Sequence, residues 1–487
     1  MRLVFLMKTI DQIAAELQGY DPQALSATDV LAFLSHLVQP VEATRDLPLF
    51  EALGRVLAED VVSPFDVPPH DNSAMDGYAF AGQELTPTRV TTGAVLPPDG
   101  ADLAGGGHPA PRPMATSAAI ELEVVGTALA GKAWQGTVAP GQCVKIMTGA
   151  IMPPGLDTVV PQELVSIKAN HITLPAGLLK PGDNRRLRGE DLAYGKPALR
   201  QGDLVTPARL GLAASLGLAT LTCRRALRVA YFSTGDEILS LGEAPREGAV
   251  YDSNRYTVFG MLTRMGCQVV DLGVVRDEPA ALEAAFLQAA AQADAIITSG
   301  GVSVGEADHT KTIMKKLGDV AFWRIAMRPG RPMAVGRIQS SRAAPSLQTK
   351  SDPAAANTVA NSYENNSESH SAILFGLPGN PVAVMVTFLA FVRPALLQMM
   401  GSTAPTPPLL RARCLESIRK KPGRTEYQRG WVSTAADGCL QVKTTGNQGS
   451  GVLSSMAQAN GLMVLHHAQG NFAVGDEVDV LMLDSVM

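Results

Sequence analysis

The spacing of apolar side chains changes several times along the chain. Residues 26–38 place Val30, Phe33 and Leu37 on one helical face, with Ser26 or Thr28 as a candidate N-cap, and residues 49–58 predict a second short helix. Helical spacing returns over residues 180–222. We therefore expect a helical linker domain made of two separated segments, 22–60 and 179–225.

Between these segments, over residues 61–178, Pro, Gly and β-branched residues increase. Short alternating runs separated by turn residues predict a β-rich domain. The expected strands are 118–125, 141–147 and 157–165. Residues 87–116 are rich in Pro, Gly and Ala without clear periodicity, so we interpret them mostly as a loop or insertion.

From Leu227 onward, apolar runs alternate with helical patterns. The expected strands are 227–232, 268–275, 295–298, 320–326, 332–337 and 372–375, and the expected helices are 253–265, 280–291, 308–317 and 381–399. This alternation predicts a mostly parallel α/β sheet over residues 226–402, with ligands bound beyond the carboxyl ends of the strands. Residues 338–371 are polar and predict a disordered insertion. Short strands and turns over 403–487 predict a C-terminal β-barrel.

Composition narrows the class of protein. The 487 residues are 46% hydrophobic and 18% charged, as in a globular chain of several domains. A formal net charge of −5 argues against bulk binding to nucleic acid or to an anionic membrane. Five scattered cysteines without C-x-x-C spacing suggest neither a disulfide framework nor a zinc site. We therefore expect a cytoplasmic protein with no membrane segment.

The loop that follows the predicted strand 295–298 has the composition of a phosphate-binding turn. Gly300, Gly301 and Ser303 stand where backbone N–H groups and a helix N-terminus can face an anion. A plain βα turn has the same composition, and for a single glycine-rich loop that interpretation is favoured. Glu306 and Asp308 favour function, because carboxylates beside a phosphate are useful mainly where a divalent cation bridges them.

Three other strand ends carry polar turns. Asp236 lies in a glycine turn after the first strand, whereas Asp252 can be explained as a helix cap. Arg328 and Arg331 flank Pro329 and Gly330 and could face one oxyanion, although two solvated surface arginines are an equal alternative. The turn 376–381 ends in Pro381, which suits a first helical position.

The β-rich region holds polar turns at residues 66–79, 147–150 and 185–191. Asp and Asn often form such turns with their own backbone, so a structural role is open for each of them. The eight histidines are dispersed and do not predict a metal site.

Taken together, these stretches resemble the molybdopterin molybdenumtransferases, the family of MoeA and of the E domain of gephyrin. The matching motifs, in the family's order, are 71–78 (DNSAMDGY), 146–150 (IMTGA), 188–191 (RGED), 233–237 (STGDE), 299–308 (SGGVSVGEAD), 328–332 (RPGRP) and 377–381 (LPGNP). The resemblance runs from about Ser26 to the end of the chain. It implies an elongated homodimer of four-domain subunits, with a molybdopterin-binding α/β domain.

The reaction implied by the resemblance is insertion of molybdate into adenylylated molybdopterin, with Mg²⁺-assisted release of AMP. Such chemistry suits these residues, because the pterin dithiolene binds the metal and the protein needs no cysteine ligand. The resemblance implies that the cation is bound by Asp236, Glu306 and Asp308. It implies that the substrates are bound by Ser303, Gly300, Gly301, Arg328, Arg331, Pro378, Asn380 and Pro381, with Arg424 or Arg429 from the barrel. The implied catalytic residues are Asp76, Thr148, Glu190, Asp236 and Asp308.

The resemblance also implies a cleft shared between subunits, with the molybdopterin adenylyltransferase as a candidate partner. Arg328 and Arg331 depart from the family, in which lysines are common at both positions. Two other functions compete with this one. The α/β domain by itself resembles an adenylyltransferase, and gephyrin shows that such a chain can serve as a scaffold.

Overall fold

The computed structural model describes residues 8–17, 20–85, 119–302, 309–340 and 371–487. The predicted insertion 87–116 lies outside these residues, as does 338–371 apart from its ends, which belong to strands. The chain divides into two compact units. The first comprises Met1–Glu59, Arg200–Ala214 and Leu218–Met487, and the second comprises Asp60–Leu199 and Ser215–Gly217. This division is coarser than the four domains expected from the sequence, whose boundaries stay a prediction.

The first unit contains the expected α/β sheet. Its strands, in spatial order, are Gln268–Val275, Arg228–Thr234, Ala295–Ser299, Ser371–Leu377, Pro332–Gln339 and Gly318–Arg324. The first four are parallel, and the last two form an antiparallel hairpin at the edge. The helices are Ser253–Arg264, Pro279–Gln292, His309–Leu317 and Pro381–Met399, the last with a π-helical segment at Phe388–Val392. Two short strands, Ile238–Leu239 and Val250–Tyr251, pair with each other beside the sheet.

The central strands of the sheet are mostly apolar and are covered by helices on both faces. All five residues of Ala295–Ser299 are buried, as expected for a strand covered on both faces. Pro381–Met399 has 19 residues and a mean hydropathy of 1.8, which would suffice to cross a membrane, but 72% of it is buried in the core. Its π-helical turn precedes Pro394, which cannot donate the next helical hydrogen bond.

The segments that flank the β-rich region meet in the first unit. Strand Thr44–Pro48 pairs antiparallel with Thr220–Arg224. The helices of this part are Ile10–Glu16, Ala27–Leu37, Leu49–Ala52 and Pro207–Ser215. Ser26 is the N-cap predicted for the second helix, in a capping box with Asp29. The helix expected at 49–58 is shorter than predicted, and helical spacing over 180–222 is realised only at Pro207–Ser215.

The C-terminal region is a closed five-stranded barrel, which confirms the predicted fold. Its strands in ring order are Thr425–Thr434, Leu440–Thr444, Leu410–Cys414, Glu477–Met482 and Gly461–Leu465, with the last paired to the first. Cys414, Val442 and Met463 are among the side chains that fill its core. The short strand Met327–Arg328 pairs in parallel with Thr425–Glu426 and so joins the barrel to the α/β hairpin. A short helix, Leu453–Ala457, follows the loop 446–452.

The second unit is the β-rich region. Its six-stranded sheet has the order Thr158–Pro161, Gly77–Phe80, Gln142–Ile146, Ala119–Ala128, His171–Pro175 and Ser166–Lys168. Apolar side chains cover both faces, with Val144 and Ile146 in one cluster and Phe80 and Val160 in the other. Two small pairings complete the unit: Asn72–Ser73 with Arg185–Arg186, and Val61–Val62 with Pro197–Leu199.

Candidate functional site

A cleft of about 1400 Å³ opens at the carboxyl ends of the parallel strands in the first unit. Each parallel strand contributes the loop that follows it, as expected for an α/β sheet. These loops supply Thr234, Gly235 and Glu237; Asp277; Ser299, Gly300, Gly301 and Val302; and Pro378, Gly379, Asn380 and Pro381. The hairpin adds Arg328 to Pro332, and the barrel adds Arg424 and Gln448 to Gly451.

Gly300 shapes the floor of the cleft. It has φ +94°, and a side chain there would overlap the carbonyl oxygen of Thr234 on the neighbouring strand. Beneath it, the buried Tyr231 hydroxyl lies 2.8 Å from Ser233 Oγ and 2.7 Å from Ser299 Oγ. Burial raises the pKa of Tyr231, so this group stays neutral. The hydroxyls tie the two central strands together directly below the glycine turn.

The helix Ser253–Arg264 begins at the cleft. Asp252 is its N-cap and accepts a hydrogen bond of 3.0 Å from the Arg255 N–H, as the cap interpretation predicted. Asn254 donates through Nδ2 to the Gly379 carbonyl at 2.7 Å and anchors the turn 378–381. Asp252 Oδ2 and Asn254 Oδ1 are buried and have no hydrogen-bond partner.

The turn that carries Arg328 and Arg331 closes the edge hairpin. Both side chains are exposed and line the cleft, whereas Pro329 and Gly330 between them are buried. Gly330 has φ +96°, and a side chain there would meet Thr387 Oγ1. Because Pro332–Gln339 runs antiparallel to Ser371–Leu377, the start of the hairpin strand lies at the same edge as the carboxyl ends. The sheet topology thus brings both arginines to the glycine turn.

Arg424 reaches the cleft from the barrel. Its Nε donates to Glu426 Oε1 at 2.8 Å, and its Nη2 lies 2.7 Å from the same oxygen. Glu426 is 2% exposed. Lys420, which is also buried, donates through Nζ to four backbone carbonyls, including that of Arg424 at 2.9 Å. Burial lowers the pKa of Lys420.

Arg429 has a different position from Arg424. It is fully buried, does not line the cleft, and donates to Ser455 Oγ and to the carbonyls of Asn447, Gln448 and Gly449. Burial, together with repulsion from Arg328, lowers the pKa of Arg429 to about 10. Of the two barrel arginines predicted as substrate ligands, Arg424 therefore faces the cleft, and Arg429 holds the cleft loop 447–450 from behind.

That loop is fastened to the turn 378–381. Asn380 donates through Nδ2 to Ser450 Oγ at 2.9 Å, and the Val382 N–H donates to the Ser450 carbonyl at 3.0 Å. The hydroxyl of Ser450 thus lies beside the N-terminus of the long core helix. A hydroxyl beside a helix N-terminus suits an oxyanion.

The carboxylates that line the cleft differ in part from those named as candidates in the sequence. Asp277 lines the cleft and accepts from Thr310 Oγ1 at 3.3 Å, although it was not among the predicted residues. Asp236 is exposed and does not line the cleft; its Oδ1 accepts from the Asp277 N–H at 3.4 Å. Ser303, Glu306 and Asp308 lie outside the described residues. Within the described residues, no three acidic, His or Cys side chains form a metal-binding group.

In the second unit, Asp76 and Thr148 are in direct contact. Thr148 donates to Asp76 Oδ1 through its N–H at 2.6 Å and through Oγ1 at 2.8 Å. These hydrogen bonds lower the pKa of Asp76, which is therefore ionised at neutral pH. Glu190 accepts from the Leu187 N–H at 2.8 Å and lies 4.0 Å from Arg186 Nε. The contacts of Glu190 are thus local to its own turn.

Two parts of the cleft were missed in the sequence. Asp277 follows the strand Gln268–Val275, so the rule that identified the other strand ends could have found it. Gln448 to Gly451 belong to a glycine-rich turn between barrel elements, which reaches the cleft through tertiary contacts, including its hydrogen bonds to the turn 378–381.

Comparisons with known proteins agree with this architecture. Residues 25–217 match the family model "MoeA N-terminal region (domain I and II)", residues 230–398 match "Probable molybdopterin binding domain", and residues 411–483 match "MoeA C-terminal region (domain IV)". The fold is similar to the crystal structure of the molybdopterin biosynthesis moeA protein from Pyrococcus horikoshii, with a TM-score of 0.70 at 23% identity, covering 94% of this chain and all of that one.

Two relatives have a higher sequence identity to this chain than that structure has. The molybdopterin molybdenumtransferase of Haemophilus influenzae is 36% identical over 438 residues, which cover 90% of this chain and 93% of the relative. That of Nostoc is 32% identical and covers 96% of this chain and 95% of the relative. Because both matches span nearly the full length of each chain, the protein belongs to the molybdopterin molybdenumtransferase family.

Proposed function

We propose that this protein acts in molybdenum cofactor biosynthesis as a transferase that inserts molybdate into adenylylated molybdopterin and releases AMP. The observation that carries the proposal is the cleft, which is lined by Arg328, Arg331 and Arg424 together with a glycine turn and Ser450 beside a helix N-terminus. This arrangement offers several donors to a tetrahedral dianion. The names of the relatives and the N-terminal family match support the assignment.

In the proposed reaction, an oxygen of water or of molybdate attacks the phosphoanhydride and AMP leaves. The two dithiolene sulfurs then bind molybdenum, and one molybdate oxygen leaves as water with the two thiol protons. The arginines hold the oxyanion, and the turn at Gly300 and Gly301, which has no side chains, lets a phosphate approach the backbone closely. Tyr231, Ser233 and Ser299 keep the two central strands in register below that turn. Preorganised donors of this kind contribute to the rate because they need no rearrangement as negative charge develops.

Mg²⁺ is part of the proposal. Asp277 lines the cleft and is a candidate ligand, because carboxylate oxygens are the ligands that Mg²⁺ prefers. Glu306 and Asp308 are the further candidate ligands, and Asp236 supports the Asp277 backbone. A bound Mg²⁺ would neutralise phosphate charge.

We also propose a homodimer in the cytoplasm, with Asp76, Thr148 and Glu190 of one subunit completing the cleft of the other. Exposed apolar side chains such as Phe50, at 94% exposure, support an interface in the first unit. The five unpaired cysteines suit a reducing compartment. An interaction with the molybdopterin adenylyltransferase would pass the labile substrate on directly.

The decisive experiment incubates the purified protein with adenylylated molybdopterin, molybdate and Mg²⁺ and measures AMP by chromatography. We expect AMP release that requires both molybdate and Mg²⁺. Transfer of AMP from ATP to molybdopterin by this protein alone would support adenylyl transfer instead. Absence of AMP release from a folded protein would support a scaffold.

A further inference from the structure

Glu426 pairs with a cleft residue, Arg424, but has no role in the proposed reaction. It is a carboxylate at 2% exposure, and it does not line the cleft. Its Oε1 accepts from Nε and Nη2 of Arg424, and its Oε2 accepts from Gln428 Nε2 at 3.2 Å. Burial of a carboxylate is costly unless it is paired in this way.

We propose that Glu426 is a positioning residue that aims Arg424 at the molybdate oxyanion. Glu426 takes up two donors on one side of the planar guanidinium, so the donors of Nη1 are left for the cleft. The Arg424 backbone is fixed as well, because Lys420 Nζ donates to its carbonyl. A side chain held in this way loses little conformational freedom when it binds an anion. This inference rests on the proposed function only for the identity of the anion.

The backbone of Glu426 has a second connection to the site. Strand Thr425–Glu426 pairs in parallel with Met327–Arg328, with Arg328 opposite Glu426, and the Thr425 N–H donates to the Ala326 carbonyl at 2.9 Å. The strand that carries the carboxylate is therefore bonded to the strand that carries Arg328. Two arginines from distant parts of the chain are placed against one anion through this short pairing.

Glu426 also affects the electrostatic repulsion among the arginines of the cleft. Arg328, Arg331 and Arg424 together carry three positive charges, which repel one another. The buried Glu426 carboxylate offsets part of this repulsion at Arg424. Without Glu426, the repulsion would favour rotation of the Arg424 side chain into solvent.

The test is a double-mutant cycle between Glu426→Gln and Arg424→Ala, read by isothermal titration with molybdate and by AMP release. Glu426→Gln keeps the size of the side chain and removes its charge. We expect the Kd for molybdate, and its KM, to rise about tenfold, while kcat changes less than about twofold. In the Arg424→Ala background, the same change should alter Kd less than about twofold, because the group that Glu426 aims is absent.

The matched control is Asp437→Asn, which breaks the exposed Arg413–Asp437 ion pair on the same barrel, 2.8 Å long and outside the cleft. It should leave Kd unchanged. An unchanged Kd in a folded Glu426→Gln variant, or the same rise in both backgrounds, would overturn the inference. If Glu426→Gln does not fold, Glu426→Asp takes its place, with a smaller rise expected in the wild-type background and none with Arg424→Ala.

The titration with molybdate distinguishes a failure of this inference from a failure of the proposed function. Wild-type protein that binds molybdate without releasing AMP would count against the proposed reaction, and the cycle in Kd would still decide the role of Glu426. Wild-type protein that binds no molybdate would overturn the inference itself.

Discussion

The arginines of the α/β cleft and the Asp76–Thr148 pair of the β-rich unit are held by different kinds of contact. Arg424 is fixed by a buried carboxylate and by a strand pairing that joins distant parts of the chain. Asp76 is exposed and is held by the backbone and hydroxyl of a single turn residue. Both arrangements join separate parts of the chain, but the carboxylate of the first is buried, whereas that of the second is exposed to solvent.

This difference has consequences for mutation. At Arg424, loss of the side chain leaves the buried Glu426 without its partner, so the effect should spread to neighbouring positions. In the β-rich unit, the groups are already exposed to water, so a lost side chain should affect only its own role. Four predictions test whether this contrast holds.

The largest effect is expected for the double variant Arg328→Ala and Arg331→Ala. Each charge-assisted hydrogen bond contributes roughly 1.5–3 kcal/mol, so kcat/KM for molybdate should fall about a thousandfold. The measurement is AMP release at varied molybdate. Arg413→Ala, on the barrel outside the cleft, is the control and should retain wild-type activity. A loss below about tenfold in the double variant would exclude the turn 328–332 as the anion site.

The second prediction concerns stability. Asp294 is 8% exposed and bridges Arg225 and the Arg228 N–H at 2.6 to 2.8 Å. Burial alone would raise the pKa of Asp294, but the hydrogen bonds from Arg225 and Arg228 outweigh it, so the pKa is lowered. Asp294→Asn should cost about 3 kcal/mol in the free energy of unfolding at pH 7.

The pH dependence of that cost follows from the direction of the shift. Because the folded-state pKa of Asp294 lies below the unfolded value of about 3.9, its contribution is complete above that value and is lost as the pH falls through the folded pKa. Urea unfolding at pH 7 and at pH 3 measures it. Asp66→Asn in the β-rich unit, which affects the exposed side chain of Arg188, should have a smaller effect. Equal effects at both sites would contradict the contrast.

The third prediction concerns Asp76. Asp76→Asn keeps an acceptor for both Thr148 donors and removes only the charge. If the ionised carboxylate acts in the reaction, kcat should fall about tenfold to a hundredfold while the unfolding midpoint stays unchanged. Glu163→Gln, an exposed change in the same unit, is the control. Wild-type turnover by Asp76→Asn would leave the pair with a structural role only.

What the sequence could predict depends on whether a feature is local or comes from the tertiary fold. Strand ends with glycine and proline turns are local features, so the loops at 234–237, 299–302 and 376–381 were found from the order of strands and helices. The closed barrel followed from short strands and turns. The burial of Arg429 could not be predicted, because it depends on closure of the barrel around the loop 447–450. The helix at 49–58 was predicted too long because apolar spacing alone does not show where a helix ends.

The smallest effect is expected for Arg331→Lys, which places the family's common residue at an exposed cleft position. Lysine keeps the charge, so Kd for molybdate should change about twofold to fivefold. Arg424→Lys should cost more, because a lysine cannot bind Glu426 through two donors and still present others to the anion. Titration of both variants with molybdate gives the comparison directly. If Arg331→Lys raised the Kd for molybdate more than Arg424→Lys did, the guanidinium that recognises the oxyanion through its planar donors would be that of Arg331 rather than that of Arg424.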